Sequence, residues 1–277
     1  MRLIALLLLA LNAFAAGGQR IISTAPSITE TLFAMGLGPR VVGDTIYCDF
    51  PPAALKLPKI GTLLKPDIET ILSLHPDLVV VQKQPNDLAD ELARVHIPYI
   101  EVQSHNLAAV FEQARAIGRA ANASAGAEKM IHQIQSELQA VAKLAEGRGR
   151  PSVAFIVGHT PGRLEGLIAG SGTSYFSDLL NIAGGANVFS DVTAPYPKIS
   201  LEEILARNPD FILELSGESP EKQKEVVDVW RSHRTLKAVA NGHVFAMPPG
   251  PVLIPGPRAA EAARTILYIL HPELKRN

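Results

Sequence analysis

Apolar positions along this chain follow two alternating periods. Residues 20–23, 78–81, 99–102 and 153–157 read as short strand runs. Leu78-Val79-Val80-Val81 is continuous, as a strand covered on both faces of a sheet requires. Between these runs the pattern changes to the helical period. Helices are predicted over residues 27–35, 67–74, 107–121 and 124–146. Ser27 and Glu30 have the spacing of a capping box, and Gly36 is the predicted stop of the first helix. Val110, Ala114 and Ile117 mark the inner face of the third. The last is the longest, with Ile131, Ile134, Leu138, Val141 and Ala145 on one face. At 1.5 Å per residue it spans on the order of 33 Å. Gly147-Arg148-Gly149-Arg150-Pro151 ends it, and strand–helix alternation then restarts. Such alternation predicts an α/β fold.

The chain also repeats itself. Lys65-Pro66-Asp67-Ile68-Glu69-Thr70-Ile71-Leu72 leads to Pro76-Asp77-Leu78-Val79, and Lys198-Ile199-Ser200-Leu201-Glu202-Glu203-Ile204-Leu205 leads to Pro209-Asp210-Phe211-Ile212. The offset is 133 at every matched position. A weaker match pairs residues 32–38 with 179–185 at an offset of 147. The first half therefore carries an insertion of about 14 residues, expected around residues 44–61. The predicted architecture is two similar α/β lobes joined by a single long α-helix. Its expected parts are residues 17–123, the linking helix 124–147, and residues 148–277.

The N-terminus departs from both periods. Met1-Arg2 precedes a leucine-rich run through Leu11, and Ala13-Phe14-Ala15 has the small-residue spacing read by signal peptidase. The run is shorter than the roughly 20 residues that span a bilayer. Residues 1–16 are read as a signal peptide, and the mature protein is expected to be soluble and periplasmic.

Composition narrows the function classes. Lys and Arg total 26 against 27 Asp and Glu, which leaves no basic footprint for nucleic acid. A hydrophobic content of 47% excludes a disordered chain. The single Cys48 excludes an intrachain disulfide and a multi-cysteine metal site. Its thiol is either a small buried hydrophobe or a group near a bound metal. Gly36-Leu37-Gly38 lacks the third glycine of a dinucleotide loop, and Gly170-Ser171-Gly172-Thr173-Ser174 is no nucleophile elbow. The eight histidines form no zinc-type pair. No metal site, cofactor or catalytic residue is expected, and binding is favoured over catalysis.

Two lobes around one long helix, behind a signal peptide, resemble the solute-binding receptors of ATP-driven importers. The subgroup is the helical-backbone class, also called class III, which serves cobalamin, siderophores and haem. Ala25-Pro26-Ser27-Ile28-Thr29-Glu30, Val41-Val42-Gly43 and Gly184-Gly185-Ala186-Asn187-Val188-Phe189 carry the resemblance. Within the class the chain is most similar to the cobalamin receptors. Tyr47-Cys48-Asp49-Phe50-Pro51-Pro52 looks like their aromatic ligand loop, and Ala194-Pro195-Tyr196-Pro197 like the facing loop. Tyr196 and Leu63 stand where the family places tryptophan, and Gln82 at another aromatic position.

The resemblance implies a ligand set of Tyr47, Asp49, Phe50, Leu63, Asn86, Tyr196 and Arg258, closing on cobalamin or a related corrinoid as transported cargo. A tyrosine can lay its ring on a flat corrin face and offer its hydroxyl to a rim amide. Asn86 is either a rim donor or a turn residue. The resemblance also implies that Glu69 and Glu202, at one repeat position, dock onto arginines of a transmembrane permease dimer. Helix N-terminal acids favoured by the macrodipole are the plain alternative. The receptor is expected to act as a monomer, with only small hinge motions. Two alternatives stay open. One is a same-fold receptor for haem, using Tyr47, or for a ferric siderophore, using Arg163 or Arg258. The other is a secreted hydrolase with dispersed catalytic residues.

Overall fold

The computed structural model describes residues 18–217, 219–248 and 250–276. The signal-peptide reading falls on residues 1–16, outside these. The chain groups into two compact units. Residues up to 102 together with 115–127 form one, and 103–114 with 128 onward form the other.

In chain order the first half contains β1 (Ile21–Ser23), α1 (Pro26–Ala34), β2 (Val41–Gly43), α2 (Ile68–Ser73), β3 (Leu78–Gln82), α3 (Leu88–Arg94) and β4 (Tyr99–Val102). Then come α4 (Leu107–Ala120) and the longest described helix, α5 (Ser124–Ala145). The second half continues with β5 (Ser152–Gly158), β6 (Leu167–Ala169), α6 (Tyr175–Ile182), β7 (Ala186–Asn187), β8 (Lys198–Ile199) and α7 (Leu201–Arg207). It ends with β9 (Phe211–Leu215), α8 (Pro220–Trp230), α9 (Lys237–Ala240), β10 (Val244–Met247) and α10 (Ala259–Leu270).

The first sheet has the order β2-β1-β3-β4, with every pair parallel. In the second sheet β7, β5, β9 and β10 repeat that order, again all parallel. Antiparallel β6 and β8 extend it from the far end of β5. Strands of this kind are covered on both faces, which explains why β3 and β5 read as unbroken apolar runs. Val79 and Val80 are fully buried, as are Val153, Ala154, Phe155 and Ile156.

The duplication is structural. α2 and α7 begin at residues 68 and 201, and β3 and β9 run over 78–82 and 211–215, all at the offset of 133. Both helices end on a left-handed residue, His75 (φ 46°) and Asn208 (φ 43°). Both strands then begin beside the same clasp. Asp77 accepts from the Arg20 amide at 2.7 Å and returns its own amide to the Arg20 carbonyl at 2.9 Å. Asp210 does the same with Ser152, at 2.9 Å and 2.9 Å.

Two local expectations differ from the structure. Ser27 lies inside α1 and Ala25 is the residue before it, so no capping box forms there. Pro26 opens that helix instead, where a missing amide costs nothing. The helix predicted over 124–146 does begin at Ser124, so this element keeps its expected start. The weaker repeat also has a different offset. The helix-ending glycines are Gly36 (φ 80°) and Gly184 (φ 82°), 148 residues apart. Leu37 N–H reaches the Leu32 carbonyl as Gly185 N–H reaches that of Leu180. The backbone aligns on that closing pattern, whereas the residue types favoured Gly38 with Gly185.

Candidate ligand-binding loops

In a parallel sheet all carboxyl ends lie along one edge, and ligands of open α/β sheets meet the loops leaving that edge. The sequence-predicted ligand residues sit in such loops. Tyr47, Asp49, Phe50 and Leu63 follow β2, and Asn86 follows β3. Tyr196 follows β7, and Arg258 ends the connection after β10. Because β2 and β7 hold the same place in their sheets, the Tyr47 and Tyr196 loops are topological counterparts.

The Tyr47 loop is held from beneath. Lys59 Nζ donates to Asp44 Oδ1 at 2.7 Å and to the carbonyls of Cys48 and Ala54 at 3.1 Å. Asp44 is fully buried, and burial pushes its carboxyl up to about 6 although Lys59 pulls the other way. Cys48 points inward, its sulfur 3.2 Å from the hydroxyls of Thr29 and Thr45. Burial raises the Cys48 thiol, so the residue serves as a packed, neutral anchor. Among the described residues no group of His, Cys, Asp and Glu is placed to hold a metal. With Thr45 and Cys48 turned in, their neighbours turn out. Tyr47 is 55% exposed and Phe50 41%, and Asp49 is exposed beside them. A cis bond joins Phe50 to Pro51.

Ile46 N–H bonds the Gly61 carbonyl at 3.0 Å, which joins this loop to the turn bearing Leu63. Gly61 has φ 95°, and a Cβ there would stand 2.6 Å from the Lys65 carbonyl oxygen. Only glycine fits that turn. Asn86 Nδ2 donates to the Leu63 carbonyl at 3.3 Å, while its Oδ1 accepts from Leu88 N–H. Asn86 thus organises the turn. Tyr47, Asp49 and Phe50 share one loop, and Leu63 and Asn86 are joined directly.

In the second unit Tyr196 projects from a loop pinned to its neighbours. Ser171 N–H reaches the Pro195 carbonyl and Ala169 N–H that of Pro197, both at 3.1 Å. The Tyr196 ring meets Phe176 edge-on, with centroids 6.0 Å apart, and Phe176 stacks on Phe155 at 4.2 Å. Although 41% of the residue is open, desolvation pushes its phenol up to about 12. It therefore remains a hydrogen-bond donor at neutral pH. Arg258 is half-buried at the start of α10. Arg163 is mostly exposed, 4.0 Å from Glu165.

Glu69 and Glu202 are each the second residue of their helix, behind the caps Asp67 and Ser200. Both are exposed, and neither carboxylate has a hydrogen-bond or ion-pair partner among the described residues. The Asp44–Lys59 clasp was missed in the sequence reading.

Parallel strands with exposed aromatic loops at their carboxyl edges suit a solute-binding protein. The sequence profile of the periplasmic binding protein family matches residues 21–251, and the chain belongs to that family. A vitamin B12-binding protein of Pectobacterium carotovorum is 28% identical over 240 residues, covering 85% of this chain and 84% of that one. The crystal structure of the periplasmic vitamin B12 binding protein BtuF of Vibrio cholerae superposes with a TM-score of 0.75 at 26% identity. It covers 94% of this chain and 99% of its own. The Staphylococcus aureus protein IsdE, complexed with haem, superposes with a TM-score of 0.76 at 25% identity, covering 92% of this chain and 100% of its own. The fold is that of the class III binding proteins, where a bound tetrapyrrole is cargo rather than cofactor. The hydrolase alternative finds no support in these relatives. No helix of the described residues is long and apolar enough to cross a membrane.

Proposed function

We propose that this chain is a periplasmic receptor that captures cobalamin or a related corrinoid and delivers it to the permease dimer of an ATP-driven importer. Residues 1–16 would direct export. The lobes 17–123 and 148–277, joined by the helix 124–147, would each present one aromatic loop to the ligand, and the receptor would work as a monomer. The observation that carries this reading is the matched exposure of Tyr47 and Tyr196 on counterpart loops. Relatives named for vitamin B12 binding support it. A corrin ring offers broad apolar faces to such rings, and its rim amides suit the Tyr47 and Tyr196 hydroxyls, Asp49 and Arg258. Phe50 and Leu63 would add apolar contact, and Asn86 would keep the Leu63 turn in shape.

Haem is the second reading, favoured by the haem complex of the Staphylococcus aureus relative and by the open Tyr47 phenol. Titration calorimetry with cyanocobalamin, cobinamide, haemin and a ferric siderophore separates the candidates. Corrinoid heat is expected at micromolar protein. Tyr47→Ala and Tyr196→Ala should each weaken binding by about 0.5–1.5 kcal/mol, the worth of one aromatic pairing. Haemin binding without any corrinoid heat would reverse the assignment.

A further inference from the structure

The second sheet buries a carboxylate that the first does without. Glu214 of β9 is 2% exposed. Its counterpart at the offset of 133 is Val81, equally buried in β3, so the fold itself needs no acid there. Trp230, the only tryptophan and fully buried, donates its indole N–H to Glu214 Oε2 at 2.7 Å. The other oxygen stands 2.8 Å from His159 Nε2, off the line of a well-directed N–H bond. His159 is the first residue beyond β5, and its Nδ1 lies 2.7 Å from the Thr160 carbonyl oxygen.

That carbonyl can only accept, so Nδ1 carries a hydrogen. Nε2 then faces a carboxylate oxygen at close range, and the pair needs one further proton, on the ring or on Glu214. Burial, which pushes the Glu214 carboxyl up, favours keeping that proton. The charged groups nearby are few. On the loop, Arg163 lies 4.0 Å from Glu165. Glu221, Lys224, Glu225 and Asp228 of α8 line a shallow depression with Gly162 of the loop. There Lys224 and Arg231 pair with Asp228, and Lys222 with Glu225. Ile156 of β5 and Ala246 of β10, in register with Glu214, bring no charge.

Beyond His159 the chain makes one compact turn. Thr160 N–H bonds the Glu165 carbonyl at 2.9 Å, and Gly162 (φ 74°) and Gly166 (φ 62°) shape it. This loop leaves the carboxyl end of β5, on the edge where the binding loops lie.

We propose that Glu214 is a positioning residue for the 159–166 loop: Trp230 clamps one of its oxygens, and the other holds His159 and with it the loop's first turn. The consequence for ligand affinity rests on the receptor reading above; the ordering of the loop does not. Loss of the shared proton as pH rises leaves two acceptors facing each other, or turns the ring N–H away from Thr160. Either change releases one end of the clasp.

Hydrogen exchange on the mature protein reads this without ligand. Glu214→Val is expected to speed exchange in peptides over 159–166 about tenfold, beyond any change at the last turn of α8, where Trp230 loses its partner. Glu214→Gln is expected to restore protection, since its amide can accept from Trp230 and donate to Nε2. Wild-type loop protection should fall as pH rises and the shared proton is lost, and the Gln variant, with no such proton to lose, should be flat. Unchanged loop exchange in Glu214→Val, or identical pH profiles for wild type and Glu214→Gln, overturns the proposal. If Glu214→Val fails to fold, the Gln comparison alone decides. Cyanocobalamin titration is scored separately. No binding by wild type counts against the receptor reading only. Equal affinity in wild type and a loosened Glu214→Val removes the link from loop to ligand.

Discussion

Asp44 shows how much a single buried group controls. Its carboxyl titrates near 3.8 when unfolded and at about 6 in place beside Lys59. The native state therefore binds more protons between those values, and stability falls as pH rises from about 4 to about 6. Asp44→Asn removes that dependence. Denaturant unfolding at several pH values should show the variant gaining on wild type by on the order of 2–3 kcal/mol across the window. A constant difference would show that Asp44 does not titrate in this way. Lys59 retains the Cys48 and Ala54 carbonyls in the variant, so the aromatic loop should keep its course. None of this was legible in the sequence, because Asp44 and Lys59 are 15 residues apart without a motif. The inward turn of Cys48 was half legible, as one of two readings of a solitary thiol.

At the scale of elements, the repeated α2–β3 and α7–β9 units are built alike but capped differently. Ser200 forms a full capping box with Glu203, whereas Asp67 accepts from the amides of Glu69 and Thr70. Ser200→Ala should cost about 1 kcal/mol of stability, measurable by thermal unfolding. Gly172 tests the link between packing and site. A Cβ there would stand 2.3 Å from the Ser190 carbonyl oxygen. Gly172→Ala must move backbone beside the Tyr196 loop and should lower both melting temperature and corrinoid affinity; intact affinity would show that the loop is held independently. The repeat units were legible because capping and turn chemistry are local. The Ser27 box was not, because a proline at the next-earlier position can open the helix as well.

For the whole molecule, the paired acids are the feature to test. Glu69 and Glu202 hold equivalent positions on two related units, one acid for each half of the proposed permease dimer. Carboxylate–arginine pairs at an interface rim set orientation and association rate more than affinity. The double variant Glu69→Ala with Glu202→Ala should bind ligand as wild type does and lose most uptake in permease-containing vesicles. Undiminished uptake would leave the two acids as helix-terminal charges only.

Resemblance to a receptor family picked out the loops that carry Tyr47 and Tyr196, and the sequence by itself determined the α/β class, the duplication and the long helix. These follow from periodicity, turn chemistry and repetition, which act over a few residues or recur at a constant offset. Only the tertiary structure decided which of those loop residues turn outward, and it alone joined Asp44 to Lys59 and Glu214 to both Trp230 and His159. Such contacts depend on which distant strands become neighbours and on what burial does to a charge, and neither leaves a mark along the chain.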